Sequence, residues 1–104
     1  MNRYKVTISP FALSDIQEIT NWYNKCLPKL GTRFQQVVKQ QIGTLTYNAN
    51  AYTIRYKNVR CMFVRKFPYL VHFQLDEATR VVEIFAVIHT SRNPDIWEEK
   101  TKDI

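Results

Sequence analysis

Two residues near the end of the chain, His89 and Arg92, have side chains suited to chemistry. They belong to His89-Thr90-Ser91-Arg92-Asn93-Pro94, a polar run that leaves the apolar stretch Val81-Val82-Glu83-Ile84-Phe85-Ala86-Val87-Ile88. Histidine exchanges a proton near neutral pH and arginine carries a fixed, forked cation, so the pair suits proton transfer beside an anion, or recognition of one. Each also has a structural reading. His89 is then a strand-end ring satisfied by a backbone group, and Arg92 a cap for carbonyls or the ion-pair partner of Glu83 or Asp95. His72, alternating with Val71 and Phe73, reads as a half-exposed surface histidine. Cys26 and Cys61 show neither a CxxC nor a Cys/His spacing and read as two buried thiols. With no metal-ligand cluster and no Gly-rich phosphate loop, neither a metal nor another cofactor is expected.

The distribution of charge says more than the formal net charge of +6. Between Ile19 and Leu75 there is no Asp or Glu, while Lys25, Lys29, Arg33, Lys39, Arg55, Lys57, Arg60, Arg65 and Lys66 all fall inside that span. One region therefore presents unneutralised positive surface. Such a field attracts RNA, DNA, an acidic protein or anionic lipid, and by itself does not choose among them. A length of 104 residues with a 45% hydrophobic share predicts one globular domain over 1–104. No apolar run approaches the roughly 18 residues needed to span a bilayer, and 1–6 holds no apolar signal segment, so a soluble cytoplasmic protein without membrane contact is expected.

The elements that must position His89 and Arg92 are legible around them. Residues 67–75 and 81–89, dense in β-branched and aromatic types, flank the polar turn Asp76-Glu77-Ala78-Thr79 and predict a β-hairpin, with Pro68 at its tolerant start. In the second strand Val82, Ile84, Ala86 and Ile88 fall on one face and Val81, Phe85 and Val87 on the other, which suits a central buried strand. Upstream, Tyr4, Val6 and Ile8 alternate as a half-buried strand, and Ser9-Pro10 opens a helix whose stripe is Ala12, Ile16, Ile19, Tyr23 and Cys26. Leu27-Pro28 breaks it. A second stripe follows, Leu30, Phe34, Val37, Gln41 and Leu45, widened by Val38 and Ile42, so the two helices form an αα-hairpin. Gly31 and Gly43 are expected to cost on the order of 1 kcal/mol each relative to alanine in helix interiors. Residues 52–58 lead into a strand over 60–66, with Cys61 and Phe63 on one face and Met62 and Val64 on the other. A short helix over 95–102, opened by Asn93-Pro94, ends the pattern. The predicted fold is α+β: an N-terminal strand, an αα-hairpin packed on a mostly antiparallel four-stranded sheet, and a short C-terminal helix. Trp97 is expected to dock that last helix. Trp22, off the stripe of the first helix, is a candidate for contact with a protein partner, as are Arg92 and Trp97.

That order of elements, with Arg65-Lys66-Phe67-Pro68-Tyr69 before one strand and Val87-Ile88-His89-Thr90-Ser91-Arg92-Asn93-Pro94 after another, resembles the RelE/ParE superfamily of toxins of type II toxin-antitoxin (plasmid stabilisation) systems. The likeness runs from Tyr4 to Trp97. It implies a small basic protein that arrests growth when free and is neutralised by a cognate antitoxin wrapped around it. Two activities are known on this fold: cleavage of mRNA in the ribosomal decoding site, and inhibition of DNA gyrase. RNA cleavage through the 2′-hydroxyl requires a base, cations to stabilise the pentacoordinate phosphate, and an acid for the leaving 5′-oxygen. On the nuclease reading His89 is the acid, with Arg55, Arg60, Arg65 and Arg92 as phosphate contacts. The nucleases often carry a tyrosine or His-Tyr pair close to the end of the last strand, whereas no tyrosine follows Tyr69 here. The closing segment is more similar to the ParE branch, which implies gyrase inhibition and no active site; a third reading is a non-toxic basic domain of the superfamily that only binds nucleic acid or a protein partner.

Overall fold

A computed structural model of the chain describes residues 3–92. The first strand, β1 (Lys5–Ile8), leads into helices α1 (Pro10–Cys26) and α2 (Leu30–Asn48) and a 3-10 turn at Ala49–Ala51. Strands β2 (Ile54–Tyr56), β3 (Val59–Phe63), β4 (Tyr69–Asp76) and β5 (Val81–His89) complete the order. They form a five-stranded sheet ordered β1-β5-β4-β3-β2, antiparallel throughout except that β1 runs parallel to β5. The α+β class stands as expected, with five strands rather than four. The difference is β2, which the sequence gives only as a lead-in: three residues are too few for alternation to show. The chain folds back there through Lys57 and Asn58, at φ 42° and 64°, both left-handed as a two-residue hairpin turn requires. The helix expected over 95–102, with Trp97 and the Asn93-Pro94 start, lies outside the described residues.

Helix α1 begins as its sequence dictates. Ser9 is its N-cap, accepting the Ala12 N–H on Oγ at 3.2 Å, and Pro10 fills the first turn where no N–H is missed. It ends at Leu27, which Pro28 holds in extended backbone. Ala12 and Ile16 are buried and Ile19 and Tyr23 pack against the core, but Cys26, expected at the end of that stripe, is exposed, since Tyr23 is the last residue of the stripe that packs against the core. In α2 the buried line is Gly31, Phe34, Val38, Ile42 and Leu45, so Leu30, Val37 and Gln41 sit on its flank and not at its centre. Gly31 marks where the helices touch. A Cβ there would stand 2.0 Å from the Thr20 carbonyl oxygen, and Asn24 Oδ1 accepts the Gly31 N–H at 2.7 Å. The cost expected for this glycine is thus reversed in sign, since alanine cannot fit. Gly43 faces open space and conforms to the expectation.

The helices cover one face of the sheet, burying Met62, Val64, Val71, Phe73, Val82, Ile84 and Val87 against Phe34, Val38 and Leu45. A smaller cluster, Val59, Cys61, Leu70, Phe85, Ala86 and Ile88, lies on the other face. Simple alternation in β5 is broken by a bulge. His72 pairs with Ala86 but Phe73 pairs with Ile84, leaving Phe85 as an extra residue. Beyond it the faces exchange: Val87 joins Val82 and Ile84 under the helices, while Ala86 and Ile88 join Phe85 on the far side. The faces read from the sequence therefore hold only up to Phe85.

Candidate functional site

The bulge sets up the end of β5 where His89 and Arg92 stand. Strand β1 stops at Ile8, so the later part of β5 borders α1 in place of a strand, and Asp15 of α1 accepts the buried Val87 N–H on Oδ2 at 3.0 Å. Across the hairpin His89 is in register with Tyr69, their rings 5.1 Å apart and nearly perpendicular. The Thr90 N–H donates to the Pro68 carbonyl at 2.9 Å, and the Arg92 N–H to the His89 carbonyl at 3.0 Å. These two bonds turn the chain back, so that Arg92 and His89 share a cleft of about 570 Å³ with Glu18, Ile19, Trp22, Tyr23, Pro68 and Tyr69. Trp22 is 57% exposed on its rim. Trp22 and Arg92, singled out separately in the sequence as partner contacts, thus line one cleft.

His89 Nδ1 accepts the Ser91 N–H at 3.0 Å and lies 2.8 Å from Ser91 Oγ. A backbone N–H can only donate, so Nδ1 has no proton and the neutral ring carries its hydrogen on Nε2. Tyr69 is half-buried, and burial raises the pKa of its phenol, with the nearby Arg92 guanidinium opposing the rise. A smaller recess beneath is lined by Asp15 and Glu18 as well as by Tyr69, His89 and Arg92. The α1 wall of the cleft is therefore acidic and the β5 exit basic.

The other arginines expected at a phosphate are not in this cleft. Arg60 Nη1 donates to the carbonyls of Tyr52 and Asn50, holding the chain after α2. Arg65 Nη2 donates to Gln40 Oε1 at 3.2 Å, and its N–H to Gln41 Oε1 at 2.7 Å. Arg55 is exposed on the edge strand β2, close enough to Cys61 to oppose the rise in that thiol's pKa. Nor does Arg92 meet Glu83, which lines a separate groove with Asp76 and Thr7 on the far face of the sheet. Among the described residues no group of three His, Cys, Asp or Glu gathers as a metal site.

Two features escaped the sequence reading. Asp15 is the buried carboxylate of α1; its signal is an acid at the edge of an apolar stripe, between Ala12 and Ile16. His72 is fully buried, contrary to the expected half-exposed position. Its Nδ1 lies 2.9 Å from the Tyr56 hydroxyl and 3.5 Å from Cys61 Sγ, because the outer face of β4 is covered by the second apolar cluster and is not solvated. Cys61, its neighbour, has its thiol pushed up from 9.0 to about 11, chiefly by burial, and is no nucleophile near neutral pH.

The fold has close counterparts. It superposes with a TM-score of 0.76 on a structure of the chromosomal ParDE toxin-antitoxin system of P. aeruginosa, at 17% identity over 88% of this chain and 100% of that one. A mutant of the E. coli toxin RelE in its free state gives 0.69 at 17% identity, over 98% of each chain. The RelBE2 toxin-antitoxin complex of Mycobacterium tuberculosis gives 0.57 at 19% identity, over 84% of this chain and 98% of that one. At such identities these likenesses speak for the fold alone. No curated protein matches the sequence. The family pattern described as the ParE toxin of the type II toxin-antitoxin system, parDE, matches residues 6–94, and the chain accordingly belongs to the ParE toxin family.

Proposed function

We propose that this toxin, a single domain over 1–104 acting in the cytoplasm, arrests growth by binding and inhibiting DNA gyrase, and that it performs no chemical step of its own. The observation that carries this reading is the dispersal of the groups an RNA-cleaving site must gather. Arg60 and Arg65 are engaged by carbonyls and glutamines of the scaffold, and Arg55 stands on the edge strand away from the cleft. Among the described cations only Arg92 accompanies His89, and Asp15 and Glu18 line the same recess, where they repel a phosphate. His89 Nδ1 is occupied by the Ser91 N–H. A cognate antitoxin is the partner that the family implies. The cleft with exposed Trp22 beside Arg92 suits a protein contact, since tryptophan and arginine dominate the energetics of such surfaces.

A second reading has one observation in its favour. Tyr69 stands against His89 and next to Arg92, a tyrosine-histidine-arginine group of the kind that could protonate a leaving oxygen, with the phenol kept protonated by burial. Two assays of the purified chain separate the readings: supercoiling by DNA gyrase, and integrity of a defined message on programmed ribosomes. Inhibition of supercoiling with the message left intact is expected. Cleavage of the message with gyrase unaffected replaces this proposal by the ribonuclease.

A further inference from the structure

A row of cations runs along α2 beside a second groove, distinct from the His89 cleft, that lies between the N-terminal half of this helix and the loop joining β3 to β4. The cationic groove measures about 470 Å³ and is lined by Arg33, Arg65 and Lys66 together with Leu30, Val37 and Phe67. We propose that these cations bind the phosphate backbone of duplex DNA, so that the toxin grips the DNA on which gyrase acts as well as the enzyme. This rests on the reading that gyrase is the target.

The spacing of the cations carries the assignment. Arg33 follows one turn after Lys29, whose carbonyl accepts its N–H at 3.1 Å, and two turns further on Gln40 Oε1 accepts from Arg65 Nη2 at 3.2 Å. Lys29, Arg33 and Arg65, all exposed, thus form a row along one side of α2; from 29 to 40 it is about 16 Å long, at about 1.5 Å of rise per residue. That matches the rise of about five phosphates on one strand of B-DNA, which succeed one another at roughly 3.4 Å along the axis. Nothing acidic interrupts the row, since no Asp or Glu occurs between Ile19 and Leu75 and Arg65 is held by a neutral glutamine. The positive end of the α2 dipole adds to the field, and the apolar walls, of low dielectric, concentrate it. Lysine also stands at two places where left-handed backbone favours glycine, Lys29 at φ 71° and Lys66 at φ 69°, so charge is kept there against conformational preference. The contact is to backbone and not to bases. Phe67 is only 8% exposed, its ring engaged by Tyr23 and Phe34 at 5.2 Å each, and no other described aromatic lines the groove, so unpaired bases find no face on which to stack. A paired duplex, held through its phosphates, fits such a surface.

The test measures the affinity of the chain for purified gyrase by calorimetry, without DNA and with a mixed-sequence DNA duplex bound to the enzyme, over a series of salt concentrations. Arg33→Gln and Lys66→Gln each remove one cation of the groove. Lys39→Gln removes an exposed cation of α2 that lies about a third of a turn away from the row. Circular dichroism melts confirm that each variant folds. DNA should tighten the wild-type complex about tenfold or more, by a gain that shrinks as salt rises. Each groove variant should lose about fivefold of that gain and lower its salt slope by about one, whereas Lys39→Gln should keep it within about twofold. Equal losses in all three variants, an undiminished gain in both groove variants, or no gain in the wild type overturn the DNA site and leave the gyrase reading standing. Tighter binding of the free chain to an RNA duplex than to the DNA duplex of the same sequence overturns it in favour of RNA. A wild-type chain that binds gyrase neither with DNA nor without it overturns both.

Discussion

His89 shows how a local hydrogen bond decides between two readings of one side chain. Its Nδ1 is an acceptor for Ser91, so the ring closes a turn at the end of β5. Asparagine places its carbonyl oxygen close to where Nδ1 stands and keeps that bond. His89→Asn is therefore expected to leave growth arrest within about twofold of the wild type, whereas loss of a general acid would cost roughly 10²- to 10⁴-fold. Arg92→Ala, which strips the cleft of its guanidinium beside exposed Trp22, should weaken arrest more than His89→Asn. Toxicity titrated against inducer at matched protein abundance gives the answer, and a folded His89→Asn variant without toxicity would move the mechanism to the ribonuclease.

At the scale of elements, the two glycines of α2 make opposite predictions from the same residue type. Gly31 lies against the Thr20 carbonyl and Asn24, so Gly31→Ala must push α1 and α2 apart or distort both, at about 1–3 kcal/mol or more. Gly43 meets nothing within 4 Å, so Gly43→Ala should stabilise by about 0.5–1 kcal/mol through helix propensity alone. Urea unfolding of the two variants separates them by sign, and a Gly31→Ala protein as stable as the wild type would mean that the helices do not cross there. The segment Arg65-Lys66-Phe67-Pro68-Tyr69 likewise gains meaning at this scale. It is the ridge between two recesses: Arg65, Lys66 and Phe67 line the cationic groove, and Pro68 and Tyr69 the cleft of His89. The aromatic cluster of Tyr23, Phe34, Phe67 and Tyr69 fills the space behind both.

For the molecule as a whole, the groups buried on the two faces of the sheet set its response to alkali. The Cys61 thiol ionises at about 11 in the folded chain against an ordinary 9.0, because burial disfavours the thiolate. Tyr23 and Tyr69 shift in the same direction, first through burial. A folded-state pKa raised above its unfolded value contributes stability in full below the unfolded value and loses it as pH rises through the folded one. Melting temperature should therefore fall between pH 9.0 and about 11. Cys61→Ala should flatten that fall relative to its own value at neutral pH. An unchanged slope in thermal melts would show that the thiol is accessible in the folded state. No helix among the described residues is long and apolar enough to cross a membrane.

The sequence by itself determined the elements whose signals are local. Ser9-Pro10 starts a helix wherever it stands, Leu27-Pro28 ends one, and the alternation of 67–75 and 81–89 about a polar turn makes a hairpin. Whole-chain order together with two short motifs was enough to point to the RelE/ParE superfamily, and the match over 6–94 bears that out. Tertiary structure decided whatever depends on what lies across from a residue. The bulge at Phe85 is a property of β4 and β5 in register, and it alone exchanges the faces of Ala86, Val87 and Ile88. His72 is buried because a second apolar cluster surrounds it, and Gly31 is required because another helix's carbonyl occupies the place of its Cβ. Charges obey the same division. Composition reveals that 19–75 lacks acids, but only the packing brings Arg92 to Trp22 and Arg33 to Arg65, and commits Arg60 to two carbonyls, since guanidinium groups far apart in sequence meet only where the backbone carries them.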